Sequence, residues 1–147
     1  MGKELYMTTT ELETNAIREL ILDYGQRIYN GDIKGAWNLR SKDAITIVPE
    51  QRNPLPQKES MDRYLQGIKA YEFIQLRPIT IHEIITSGDL AFVRMTYCTE
   101  FKSKEDAGES LVFFSRHIYI LSRESDEGWK ITHDTWSNVP YDDGEIP

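Results

Sequence analysis

Apolar residues recur every three or four positions in the first part of the chain, at Leu12, Ala16, Ile17, Leu20, Ile21, Tyr24 and Ile28. That spacing draws one apolar stripe along a helix. Thr10 followed by Glu13 has the spacing of a capping box and predicts the helix start. Asn30 and Gly31 tolerate the left-handed conformation that closes a helix, so the stripe ends there. Asp32 can cap a second, short helix carrying Ile33, Ala36, Trp37 and Leu39, which makes the opening a helical hairpin. Ala44 to Val48 is a short β-branched run ended by Pro49, and a loop with Pro54 and Pro56 follows. Met61, Tyr64, Leu65 and Ile68 then fit i, i+3, i+4, i+7, a third amphipathic helix.

From Phe73 onward the pattern changes to Ile, Val, Thr, Tyr and Phe, broken at Ser87 to Asp89, Ser103 to Ser110 and Arg123 to Gly128. Four long antiparallel strands are predicted: Ile79 to Thr86, Leu90 to Lys102, Leu111 to Ser122 and Trp129 to Ser137. The Ser-Gly-Asp tripeptide at 87 to 89 signals a tight turn, and the longer gaps suit wider hairpins. Helices first and a strand meander afterwards predict a segregated α+β layout, a curved sheet with its helices on one face. The second long strand puts Ala91, Val93, Met95, Tyr97 and Phe101 on one face and Leu90, Phe92 and Cys98 on the other. Three helices can cover only one apolar face, so a homodimer packed through the sheet is expected to cover the other.

Composition narrows the class. The chain has 147 residues, 39% apolar and 28% charged, enough for one core that removes about two thirds of the unfolded surface from water. A single domain over residues 1–140 and an acidic tail over 141–147, with Asp142, Asp143 and Glu145, are expected. No apolar run approaches the roughly 20 residues of a membrane span. The start, Met1 to Tyr6, has no signal-like apolar stretch, and Tyr6 stands where a myristoylation motif needs Ser or Thr. Cys98 is the only cysteine; it excludes an intrachain disulfide, reads as a sheet residue, and predicts a reducing, cytoplasmic location. The net charge of -7 argues against nucleic-acid binding.

The order of helical hairpin, short strand, third helix and meander resembles the nuclear transport factor 2-like superfamily, in particular its SnoaL-like and ketosteroid isomerase-like branches. Local matches carry the likeness over about Ile17 to Pro140. They are Asn30-Gly31-Asp32 with Trp37, Ser87-Gly88-Asp89-Leu90-Ala91, and Gly128-Trp129-Lys130-Ile131 leading into Asp134-x-Trp136-Ser137. The resemblance implies a cystatin-like cone, with three N-terminal helices packed on the concave face of a strongly curved antiparallel sheet and a cavity between them. It does not name the ligand, because the superfamily hosts isomerases, cyclases, dehydratases, transport factors and hub domains.

The same resemblance places candidate chemistry. Tyr24, eight residues before Asp32, matches the tyrosine that donates to the developing oxyanion in ketosteroid isomerases; a residue continuing the core stripe is the plain alternative. His117 falls where those enzymes carry a protonated aspartic acid, and it could serve as donor or base. Asp134 lies on the strand expected to pair with that of His117, where a carboxylate could orient the imidazole. Val48, directly before Pro49, stands where those isomerases deliver a general-base aspartate, and valine moves no proton. The aromatics Trp37, Tyr64, Tyr97, Tyr119 and Trp136 are expected to line the cavity. His82 and His133 lack metal-ligand spacing, and no glycine-rich phosphate loop or nucleophile elbow is present, so neither metal nor other cofactor is expected. The expected partner is therefore a small, largely apolar organic ligand, with proton transfer beside a carbonyl as the candidate reaction. A non-catalytic dimeric or hub module is the alternative.

Overall fold

A computed structural model describes residues 8–105 and 109–140; the expected acidic tail at 141–147 lies outside them. Helix α1 spans Thr9–Tyr29, α2 Ile33–Trp37 and α3 Gln57–Ala70. The strands are β1 Arg40–Ile47, β2 Tyr71–Gln75, β3 Thr80–Ser87, β4 Leu90–Ser103, β5 Ser110–Glu124 and β6 Gly128–Pro140. No described helix is long and apolar enough to cross a membrane.

The helix α1 starts two residues earlier than its sequence signal. Thr8 Oγ1 accepts from the Glu11 amide and Glu11 Oε2 from the Thr8 amide, a capping box two residues ahead of Thr10 and Glu13. At its other end Asn30 caps the helix and Gly31 takes a φ of 80°, the left-handed turn that suits glycine. Asp32 then caps α2 by accepting from the Gly35 amide at 3.0 Å. The two helices thus meet at a corner written into Asn30-Gly31-Asp32.

The sheet runs β1-β6-β5-β4-β2, with β3 also paired to β4. The pairs β3/β4, β4/β5 and β5/β6 are antiparallel, as the meander predicts. Two features were not legible in the pattern. Strand β1 pairs with β6 in parallel, so the sheet is mixed at that edge, and β1 begins at Arg40 rather than Ala44. Strand β2 directly follows α3 and shares one edge of β4 with β3, β2 beside residues 99–103 and β3 beside 90–96.

The core joins the helical stripe to the inner face of the sheet. Ile17, Ile21, Ile33 and Trp37 pack on Val93, Met95, Leu121 and Ile131. Each such side chain contributes about 1.5–3 kcal/mol by leaving water. The other sheet face stays apolar and open: Ile47, Ile85, Leu90 and Ile118 are 38–57% exposed. Registers Ile85↔Phe92, Arg94↔Ile118 and Ile118↔Thr135 place these residues on that one face. Cys98 is buried there as a free thiol.

Candidate functional site

Between α1, α3 and the inner sheet face lies a cavity of about 660 Å³. Its wall is largely aromatic, with Tyr29, Tyr64, Phe73, Phe101, Phe113 and Trp136 among its lining residues. The side chains reach it from different elements because strand residues alternate faces: Met95, Tyr97 and Thr99 from β4 stand beside Phe113, Ser115 and His117 from β5. Glu50 and Arg63, both exposed, bring charge to its rim.

The structure brings His117, Asp134 and Tyr24 into one buried network. Asp134 Oδ1 lies 3.0 Å from His117 Nδ1, with both side chains about 98–99% removed from solvent. A carboxylate only accepts, so Nδ1 carries a proton and donates to it, and in the neutral imidazole Nε2 is then the basic nitrogen. His117 Nε2 lies 2.8 Å from the Tyr97 hydroxyl. The imidazole is clamped flat by its neighbours, stacked with Trp136 at 5.2 Å and with Tyr119 at 5.3 Å. His117 pairs across the strands with Trp136, and Asp134 with Tyr119, so the imidazole meets the carboxylate diagonally.

Behind this pair stands Arg40, which no local pattern along the chain singles out. Its side chain is fully buried; Nη1 donates to the Tyr24 hydroxyl at 3.2 Å and lies 3.9 Å from Asp134 Oδ2. Nη2 donates to Thr46 Oγ1 at 2.7 Å and Nε to Gln57 Oε1 at 2.8 Å. Thr46 Oγ1 shares a hydrogen bond with Ser60 Oγ at 2.7 Å, and Gln57 donates to the Trp37 carbonyl at 3.1 Å. The guanidinium also lies 4.8 Å over the Trp37 ring. An interior cation thus has a partner in every direction, as burial requires.

The phenols are held protonated. Burial pushes Tyr24 far above its ordinary value, against the opposing effect of Arg40, and Asp134 adds to the rise. Burial likewise raises Tyr64, Tyr97 and Tyr119 well above the usual range, and pushes Tyr29 up to about 12. Tyr24 accepts from Arg40, so its proton remains to give.

Among the residues expected to line the cavity, Tyr64, Tyr97, Tyr119 and Trp136 do so, as do Tyr24 and His117. Trp37 does not: α2 turns it behind Tyr64, whose ring lies 4.8 Å away, and under Arg40. Asp134 also sits behind the wall, screened by His117, and orients rather than touches. Val48 lines the cavity without a titratable group. Sequence reasoning missed Ser115, Asn138, Tyr29 and Thr99, polar lining residues on elements read only for their apolar pattern. Among the described residues no group of three or more His, Cys, Asp or Glu could hold a metal ion.

No family model matches the chain, and no curated protein matches its sequence. Solved structures do. A ketosteroid isomerase-like protein from Erwinia carotovora atroseptica superposes with a TM-score of 0.75 at 20% identity, over 85% of this chain and 95% of that one. The chain has the nuclear transport factor 2-like fold. A superfamily member from Salmonella enterica superposes with a TM-score of 0.71 at 18% identity, over 95% of this chain and all of that one. A candidate dehydratase of the same fold from Streptomyces avermitilis gives 0.73 at 16% identity, over 89% and 99% of the two chains.

Proposed function

We propose that the cavity binds a small, largely apolar ring compound with a carbonyl group and that the protein moves a proton beside that carbonyl. Isomerisation, cyclisation and dehydration all begin with this step. The observation that carries the reading is the convergence of a donor and a base on one cavity: Tyr24, with a proton to give, and His117, oriented by Asp134. A hydroxyl donor in a water-poor pocket stabilises the oxyanion that forms as the base takes the proton. The aromatic wall supplies the apolar contacts for a flat ring. A cavity of about 660 Å³ remains although the aromatics are numerous, which favours a ligand site over a hub whose cone is filled by its own side chains.

The binding half of this proposal is tested with β-naphthol, a flat ring bearing one hydroxyl. Saturable quenching of tryptophan fluorescence is expected, lost when Trp136 is replaced by Phe. Weaker binding is expected for His117→Ala. Absence of saturable quenching, with no competition by other bicyclic ketones or phenols, counts against a ligand site.

We further propose a homodimer through the open sheet face, supported by exposed Ile85, Leu90 and Ile118. Sedimentation should then give twice the chain mass, and Ile118→Glu should return it to the monomer; a wild-type monomer at micromolar concentration would refute this. The single cysteine suits a reducing compartment, and we assign the protein to the cytoplasm on that ground.

A further inference from the structure

The imidazole of His117 has no free nitrogen to offer a ligand. Nδ1 is held by Asp134 at 3.0 Å and Nε2 by the Tyr97 hydroxyl at 2.8 Å, and the residue is 2% exposed. In the neutral imidazole with its proton on Nδ1 toward the carboxylate, Nε2 accepts and Tyr97 donates to it. The phenol proton is therefore committed inward. Its oxygen also has two lone pairs: Ser115, which gives its own proton to Asn138 Oδ1 2.6 Å away, stands beside the phenol, and at most one lone pair is taken on that side. Tyr97 stands on the cavity wall as an acceptor whose far side is wired to a base.

We propose that Tyr97 is the catalytic residue that meets the ligand, and that it relays the ligand's proton to His117. This rests on the proton-transfer reading above and changes which atom performs it. In the step, the ligand's C–H or O–H bond breaks as a new bond forms to Tyr97 Oη. The original Oη–H bond breaks as its proton passes to His117 Nε2. The electron pair left on the ligand moves to its carbonyl oxygen, which accepts from Tyr24. Tyr97 is a neutral phenol before and after, so no free phenolate forms. The new positive charge rests on the imidazolium facing Asp134. His117 becomes the store of the proton rather than the group in contact. The ligand is accordingly an enolisable or hydroxylated carbonyl compound, matching one donor, Tyr24, and one acceptor, Tyr97.

The test uses α-tetralone, a bicyclic ketone with exchangeable hydrogens beside its carbonyl, in heavy water with exchange read by proton NMR. The relay predicts that Tyr97→Phe and His117→Ala each lose the protein-dependent exchange by about 100-fold or more. The double variant should lose no more than either alone, because the two groups act as one unit. Binding of β-naphthol to Tyr97→Phe, and a cooperative melting transition well above the assay temperature, show that the cavity survives in that variant. Wild-type or faster exchange by Tyr97→Phe overturns the relay alone, since it would mean that a freed Nε2 acts directly. Separate, multiplying losses in the two single variants also overturn it. No exchange by the wild-type protein overturns the proton-transfer reading together with the relay.

Discussion

Replacing Arg40 by Met keeps the aliphatic stem in the core and deletes its charge. The guanidinium lies 3.9 Å from Asp134 Oδ2 with both side chains buried. At an effective dielectric constant of about 20, a pair at that distance is worth about 4 kcal/mol. That figure agrees with the roughly 3–5 kcal/mol lost when one partner of a buried pair is removed. Tyr24, Thr46 and Gln57 lose a donor in the same substitution. A domain of this size has about 5–15 kcal/mol in all, so the variant should remain folded but weakened. With about 2–4 °C per kcal/mol, the melting temperature should fall by about 10 °C. Urea denaturation gives the free energy, and Arg40→Met with Asp134→Asn gives the coupling. The double variant should be more stable than the sum of the single losses predicts, because it leaves no unpaired buried charge. A loss below about 1 kcal/mol, or strictly additive losses, would refute the ion-pair account.

Two further outcomes follow from local geometry. Glu50 has a φ of 66° in the turn closed by the Gln51 amide on the Val48 carbonyl at 3.3 Å, a position that suits glycine. Glu50→Gly relieves about 1–2 kcal/mol of left-handed strain and costs about 0.5–1 kcal/mol of chain entropy. Calorimetry should therefore show a small rise in melting temperature, and a fall would contradict the strain argument. The second outcome concerns alkaline pH. Burial raises the folded-state value of Tyr29 from 10.0 to about 12, so the folded state holds its proton longer than the unfolded chain does. The stability it contributes is complete below pH 10 and is lost as pH climbs from there to about 12. Phenolate absorbance should rise together with unfolding; full ionisation of Tyr24, Tyr64, Tyr97 and Tyr119 in a still-folded protein would contradict their burial.

The helices and the meander were legible because their signals are local. The stripe from Leu12 to Ile28, the Asn30-Gly31-Asp32 corner and the Ser87-Gly88-Asp89 turn each need only neighbouring residues. The parallel pairing of β1 with β6 was not, since it joins Thr46 to Asp134 across most of the chain. Strand β2 was hidden by following α3 without a break, its Phe73 and Ile74 too few to show a period. His117, Asp134 and Tyr24 could be named only through the resemblance to a known fold. Arg40 could not be named at all, because an arginine between Leu39 and Ser41 reads as a solvated strand end until four distant partners are seen around it. The same holds for the bond from Tyr97 to His117, which turns a wall aromatic into a polar contact.

Exchange of the hydrogens beside the carbonyl of α-tetralone in heavy water reads the proposed proton transfer itself. Protein-dependent exchange above the buffer rate is expected, abolished in His117→Ala and reduced in Tyr24→Phe, which lacks the donor to the developing oxyanion. Binding of the ketone with exchange no faster than in buffer would contradict it, and would make the cavity a binding site rather than a place of reaction.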